Sequence, residues 1–183
     1  MSISKASRRS FLATASSAVA ASVFFSGTVR AQSPVSKSAK PLAVCVFSKY
    51  LQHLGYDELA ARCRDMGLDG IDLTVRDGGH VKPENLATDL PKAVEAARKA
   101  GLEMSMISTR LCDGADKDAK PILELAGKLG IPYCRVGYTQ YDLTQNPKTQ
   151  LPKLADDLKA LADIAAANNV VLGYHNHSGE RNV

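Results

Sequence analysis

The first 31 residues contain no Asp or Glu, although they carry Lys5, Arg8, Arg9 and Arg30. The formal net charge of +4 therefore sits entirely in that segment, and the other 152 residues hold 19 basic against 19 acidic side chains. A neutral body removes the electrostatic argument for polyanion binding, because counterion release needs a surplus of Lys and Arg facing the phosphates. Trp is absent and aromatic residues make up only 5%, while 45% of the residues are hydrophobic and 23% are charged. That balance is neither disordered, collagenous nor disulfide-scaffolded. No G-x-G-x-x-G follows the first apolar run, which weakens a dinucleotide-binding reading. No run reaches the ~20 apolar residues that a membrane span needs.

What the first segment does hold is ordered like an export leader. Ser7-Arg8-Arg9-Ser10-Phe11-Leu12 resembles the twin-arginine motif, and a weakly apolar run from Leu12 to Phe25 follows. Val29-Arg30-Ala31 then places small residues at the −3 and −1 positions of a cleavage site before Gln32. Residues 1–31 read as a twin-arginine signal peptide and residues 32–41, polar and Pro/Ser-containing, as a linker. The expected destination is the periplasm or the exterior, with no stable membrane insertion after cleavage. In that oxidising setting the four cysteines raise the question of disulfides. Cys45 and Cys134 in strands and Cys63 on a helix read as buried free thiols, and Cys112 just past a strand end is the one to watch for reactivity.

From residue 42 to 183 short apolar runs alternate with amphipathic patterns. Strands are expected at Leu42–Phe47, Gly70–Val75, Glu103–Ser108, Tyr133–Gly137 and Val170–Tyr174. Between them, Asp57 caps a helix with Leu59, Cys63 and Met66 on one face. Asp89 precedes a helix with Pro91 in its first turn, Pro121 opens a third, and Leu151 to Ala165 mark the longest. Gly67, Gly101, Gly130 and Asn168-Asn169 stand at their ends. Continuous apolar strands joined by crossover helices imply a parallel α/β sheet, either doubly wound or barrel-like. A closed (β/α)8 barrel runs to ~250 residues, so the four and a half units here amount to about half of one. A truncated or split reading frame, or a half that assembles with another chain, is expected.

In parallel α/β folds, chemistry collects at the C-terminal ends of strands. That rule selects Ser48-Lys49, Arg76 to His80, Thr109-Arg110, Tyr138 and His175-Asn176-His177. The two imidazoles of His175 and His177, two residues apart, can share a metal or a substrate oxygen; two loop histidines bonded to backbone are the alternative. Arg76 offers bidentate donors to a carboxylate or phosphate, Gly78-Gly79 permits close backbone approach, and His80 is titratable. Lys49 suits an anionic or hydroxyl group and equally a solvated surface. Arg135 inside a strand needs a polar interior, with Asp72 as a candidate partner.

Together Gly70-Ile-Asp-Leu-Thr-Val-Arg-Asp-Gly-Gly-His-Val-Lys-Pro-Glu84, Asp89-Leu-Pro91 and Gly173-Tyr-His-Asn-His-Ser-Gly179 resemble the sugar phosphate isomerase/epimerase family of xylose isomerase-like TIM barrels, in a subgroup with twin-arginine leaders. The resemblance implies metal-assisted proton transfer next to a carbonyl of a sugar, polyol or keto-sugar. It implies His175 as a metal ligand, where many members carry Glu, and imidazole suits Mn, Zn, Co or Fe. It further implies catalytic parts for His177, His80 and Glu180, and substrate contacts from Lys49, Arg76, Arg135 and Asn176. The family's other ligands lie on later strands, so activity of this chain alone is open. The alternatives are a non-catalytic carbohydrate-binding or remnant half-barrel and, opposed by the neutral body, an endonuclease IV-like DNA repair enzyme. Expected partners are a small sugar or polyol, with no nucleic acid, and either a complementary half-barrel chain or a second copy.

Overall fold

The structure is a computed structural model that describes residues 42–175. Five strands alternate with four helices: β1 Cys45–Phe47, α1 Tyr56–Asp65, β2 Gly70–Thr74, α2 Leu86–Lys99, β3 Glu103–Ser108, α3 Ala119–Lys128, β4 Tyr133–Arg135, α4 Pro147–Ala167 and β5 Val171–Gly173. The strands pair in the order β1-β2-β3-β4-β5, and every pairing is parallel. A doubly wound sheet reverses its order at a switch point; this sheet does not, so the winding is that of the first part of a (β/α)8 barrel. No described helix is long and apolar enough to cross a membrane.

The core lies between one face of the sheet and the helices. Ile71 and Leu73 of β2, Ile107 of β3 and Cys134 of β4 cluster with Leu59, Leu90, Val94, Ile122, Leu123 and Leu161 from the helices. Side chains along a strand alternate between faces, so Phe47, Asp72, Ser108 and Arg135 point the other way. Strict alternation alone would misplace part of β3. Ile71 pairs with Met104 but Asp72 pairs with Met106, a bulge-like register step that absorbs Ser105 and keeps Ile107 in the core.

Helix ends depart from the expected ones in ways that packing explains. Asp57 does not cap α1; Gly55 holds that position without a side-chain bond, and Asp57 lies inside the first turn. Met66 is 57% exposed at the end of that helix, off the apolar face. In α2 the helix starts at Leu86, so Pro91 falls inside it. Burial of Leu86, Leu90, Ala93, Val94 and Ala97 along one stripe extends the helix upstream past a residue that costs it a hydrogen bond. α3 starts at Ala119, leaving Pro121 in the first turn where no backbone donor is needed. α4 begins at Pro147, where the Asn146 side chain accepts from the Lys148 amide at 3.0 Å, and buries only Leu161 and Ala165 completely. Asn169, with φ 57°, takes the left-handed position after α4 that glycines take after the other three helices. All four cysteines are free thiols; Cys63 and Cys134 are buried, whereas Cys45 is exposed at the sheet's β1 edge.

Gly127 tests this packing. A Cβ at that position would press into the backbone carbonyl of Asn168. Gly127→Ala gains about 1 kcal/mol of helix propensity and loses the close approach of α3 to the end of α4. Net destabilisation of about 1–3 kcal/mol in urea unfolding is expected; a net gain would show that the two backbones are not in contact.

Candidate active site

The loop after β2 is built by its own side chains. Val75 and Val81 form an isolated bridge, and a Cβ on Gly79 would meet the carbonyls of Arg76 and Thr74 at 2.9 Å. Gly78, with φ 64°, turns the chain. The two glycines therefore close a turn, which accounts for them without a ligand. Within that turn the Thr74 amide donates to Ser48 Oγ at 3.0 Å and the His80 amide donates to Thr74 Oγ1 at 2.9 Å. His80 Nε2 lies 3.1 Å from the Leu51 carbonyl and Nδ1 lies 3.2 Å from Ser48 Oγ. A carbonyl can only accept, so Nε2 carries the proton and the Ser48 hydroxyl donates to Nδ1. Burial holds the His80 pKa below its ordinary value, which keeps the ring neutral. Both ring nitrogens are engaged with the chain, and His80 braces the β2 loop against the turn that follows β1.

Beside this brace the C-terminal ends of all five strands open on a cleft of about 600 Å³, lined by Phe47, Lys49, Tyr50, Asp72, Arg76, Met106, Arg135, Tyr138, Gly173, Tyr174 and His175. Of the residues selected from sequence, Lys49, Arg76, Arg135 and His175 meet here; His80 does not line it. Asn176, His177 and Glu180 lie outside the described residues. Lys49 is exposed, with its ammonium 5.8 Å from the centre of the Tyr50 ring. His175 is exposed, its Nδ1 3.5 Å from the Tyr138 hydroxyl and its ring tilted at 51° to that of Tyr138. The Tyr174 hydroxyl is buried without a partner among the described residues.

The floor of the cleft is a hydrogen-bonded chain. Ser108 Oγ donates to the Asp72 carboxylate, 2.7 Å from Oδ1 and 3.0 Å from Oδ2, and accepts from Arg135 Nε at 3.1 Å. Arg135 and Asp72, suspected partners in the sequence, are thus joined through a serine that sequence reasoning did not single out. Its signal was the two-residue spacing of Met106 and Ser108 at the end of β3. Arg135 also donates to the Val136 carbonyl at 3.3 Å and stands over the rings of Phe47 and Tyr138, 5.8 and 5.4 Å from their centres. Phe47, the last residue of β1, is turned by alternation into the cleft. Asp72 is only 8% exposed, and burial pushes its pKa up to about 6 even though Ser108, Arg135 and Arg76 all pull it down. Burial and then Asp116 push the thiol of Cys112 up, outweighing Thr139, which pulls it the other way, so the thiol is not activated.

A divalent cation needs several donors. His175 is one, and among the described residues no group of three or more His, Cys, Asp or Glu side chains could hold a metal. The described residues by themselves do not build a metal site.

A family profile described as xylose isomerase-like TIM barrel matches residues 60–183. No curated protein matches the sequence. Among solved structures, the probable 3-DHS dehydratase AsbF involved in petrobactin synthesis from Bacillus anthracis is similar at 15% identity and TM-score 0.58, over 74% of this chain and 53% of that one. D-allulose 3-epimerase from Methylomonas sp. is similar at 12% identity and TM-score 0.57, over 79% and 55%. A xylose isomerase-like TIM barrel protein from Mycobacterium smegmatis, in complex with magnesium, is similar at 15% identity and TM-score 0.53, over 74% and 55%. At these identities the likeness shows the fold, and this chain spans about half the length of each.

The floor chain has a pH signature. A carboxyl whose folded pKa is raised stabilises the fold fully below its unfolded pKa, and that contribution is lost as pH rises through the folded value. For Asp72 the window runs from 3.8 to about 6, worth on the order of 3 kcal/mol. Carbon NMR of the Asp72 carboxyl is expected to titrate near pH 6, and Ser108→Ala to move the midpoint higher by removing the donor to the ionised form. A midpoint near 4 in the parent would show the carboxylate to be solvated.

Proposed function

Because the chain belongs to the xylose isomerase-like TIM barrel family, we propose that it is a sugar isomerase/epimerase-like protein that moves a proton next to a carbonyl of a sugar, polyol or keto-sugar. The observation that carries this reading is the convergence of Lys49, Asp72, Arg76, Arg135 and His175 on one cleft at the C-terminal strand ends, where barrels of this kind place their chemistry. In it Lys49 and Arg76 hold substrate oxygens at the mouth, beside the rings of Phe47, Tyr50 and Tyr138. Asp72, with a pKa of about 6, is able to take the proton from carbon and return it at neighbouring carbon or oxygen near neutral pH. Among the described residues the resemblance assigns the divalent metal only His175, and its remaining donors would come from βα units beyond those described.

The decisive measurement is proton NMR of D-allulose and D-fructose in heavy water with the full chain. Deuterium is expected at the carbon next to the carbonyl, with at least a hundredfold loss in Asp72→Asn. Sugar binding without exchange would favour the carbohydrate-binding alternative, and neither binding nor exchange would overturn both.

The same reading makes residues 1–31 a twin-arginine leader and the destination periplasmic or secreted. The exported protein is expected to begin at Gln32 by N-terminal sequencing, and changing Arg8 and Arg9 together to Lys is expected to hold it in the cytoplasm. Export unaffected by that double change would remove the twin-arginine assignment.

A further inference from the structure

We propose that Arg135 acts on the reaction through Ser108 and not on the substrate: its guanidinium holds the serine hydroxyl as a donor to Asp72, so the carboxylate takes and returns a proton only on the lone pairs that the serine leaves free. The inference rests on Asp72 being the base of the reading above, and it makes Arg135 a positioning residue in place of the substrate contact that the resemblance implied.

The polarity of the link follows from what each partner can do. A guanidinium has no acceptor and an ionised carboxylate has no donor, so a hydroxyl between them has one arrangement. Arg135 Nε donates to Ser108 Oγ at 3.1 Å, and Ser108 Oγ donates to Asp72, 2.7 Å from Oδ1 and 3.0 Å from Oδ2. Among the described residues no ion pair joins the guanidinium to that carboxylate directly. Ser108 is fully buried, so water offers its proton no other acceptor, and a reversed hydroxyl would leave a buried donor without a partner. The guanidinium is itself held. Nη1 donates to the Val136 carbonyl at 3.3 Å, and the rings of Phe47 and Tyr138 have their centres 5.8 and 5.4 Å from it. Nε and Nη1 are thus both given to the chain before any ligand arrives.

Protonation of Asp72 is then directional. Ser108 spans both carboxylate oxygens, and an acid proton placed between them would meet the serine's own. The remaining lone pairs belong to a residue that lines the cleft. When Asp72 takes a proton from substrate carbon, the electron pair of the C–H bond stays on the substrate as an enolate, and the same oxygen gives the proton back. Around the carboxyl, β1 places Phe47 opposite it in register, the loop after β2 supplies Arg76, β3 Ser108 and β4 Arg135. Burial raises the Asp72 pKa, and Ser108, Arg135 and Arg76 pull it down. By charge alone Arg135 would pull equally well without the serine; by fixing the hydroxyl it needs Ser108 in place.

The test is a double-mutant cycle read by carbon NMR titration of the Asp72 carboxyl in the full chain, with Arg135→Met introduced beside Ser108 and beside Ser108→Ala. Arg135→Met is expected to raise the midpoint by about one pH unit in the parent, and by less than half as much once the serine is gone. No rise in the parent, or a rise in the Ser108→Ala chain at least half as large, would overturn the proposal. Circular dichroism checks folding; where the Met variant does not fold, Arg135→Lys, which keeps the charge but not the planar fork, is compared in the same two backgrounds. Deuterium incorporation into D-allulose supplies the second readout. Its pH midpoint is expected to move with the NMR midpoint in Arg135→Met while KM changes less than about twofold; a KM raised about tenfold at an unmoved midpoint would make Arg135 a substrate contact and overturn the proposal. No incorporation by the parent overturns the isomerase reading and the part in catalysis with it, whereas the NMR cycle still decides whether Arg135 acts through Ser108.

Discussion

A parallel strand offers two faces, and in this sheet the helices cover only one of them. Everything else follows from that constraint. The covered face must be apolar to hold the layers together, and Ile71, Leu73, Ile107 and Cys134 fill it. The other face is then available for groups that a core would not tolerate, and Asp72, Ser108 and Arg135 occupy it at the strand ends. Core and site are thus alternate residues of the same strands, so the rigidity of one is lent to the other.

The electrostatics of the cleft are a compromise in which desolvation outweighs attraction. Three groups pull the Asp72 carboxyl toward ionisation, yet burial leaves it titrating near neutral pH. On the same floor two guanidiniums are held close enough to disfavour each other. Both lie near the Phe47 ring, 6.0 and 5.8 Å from its centre. Such an arrangement is poor as structural glue, since a surface ion pair would be simpler and a fully apolar floor more stable. Its value is a local field that a ligand can complete. The His80 brace contributes by fixing the loop that carries Arg76, so the field is set before anything binds.

Periodicity located all five strands and four helices, because parallel βα units repeat the same apolar rhythm and their helices end at glycine or asparagine. Boundaries failed where burial competed with local preference: Leu86 drew α2 past Pro91, and Asp57 lost its capping place to Gly55. The strand-end rule picked out Lys49, Arg76, Tyr138 and His175, which line one cleft. It also gathered His80, whose spacing from β2 is right but whose nitrogens are both taken by Ser48 and Leu51. Hydrogen-bond partners that distant are not written in local sequence. Ser108 and Phe47 were passed over for a related reason: strand spacing places them on the cleft face, but a small hydroxyl and a single aromatic ring carry no motif, and only the three-dimensional neighbours give them work.

The register step in β3 has a genetic consequence. Ser105 is a surplus residue that the sheet absorbs, with Met104 and Met106 meeting adjacent residues of β2. The pleat takes up that extra residue before it can invert the strand's two faces. Without that slack, one added codon would have turned Ile107 toward the cleft and Ser108 into the core, exchanging the serine that joins Asp72 to Arg135 for a hydrocarbon. The strand end that carries this link is thereby insulated from length changes beneath it, and a lineage is free to vary the lower part of β3 while its chemistry stays in place.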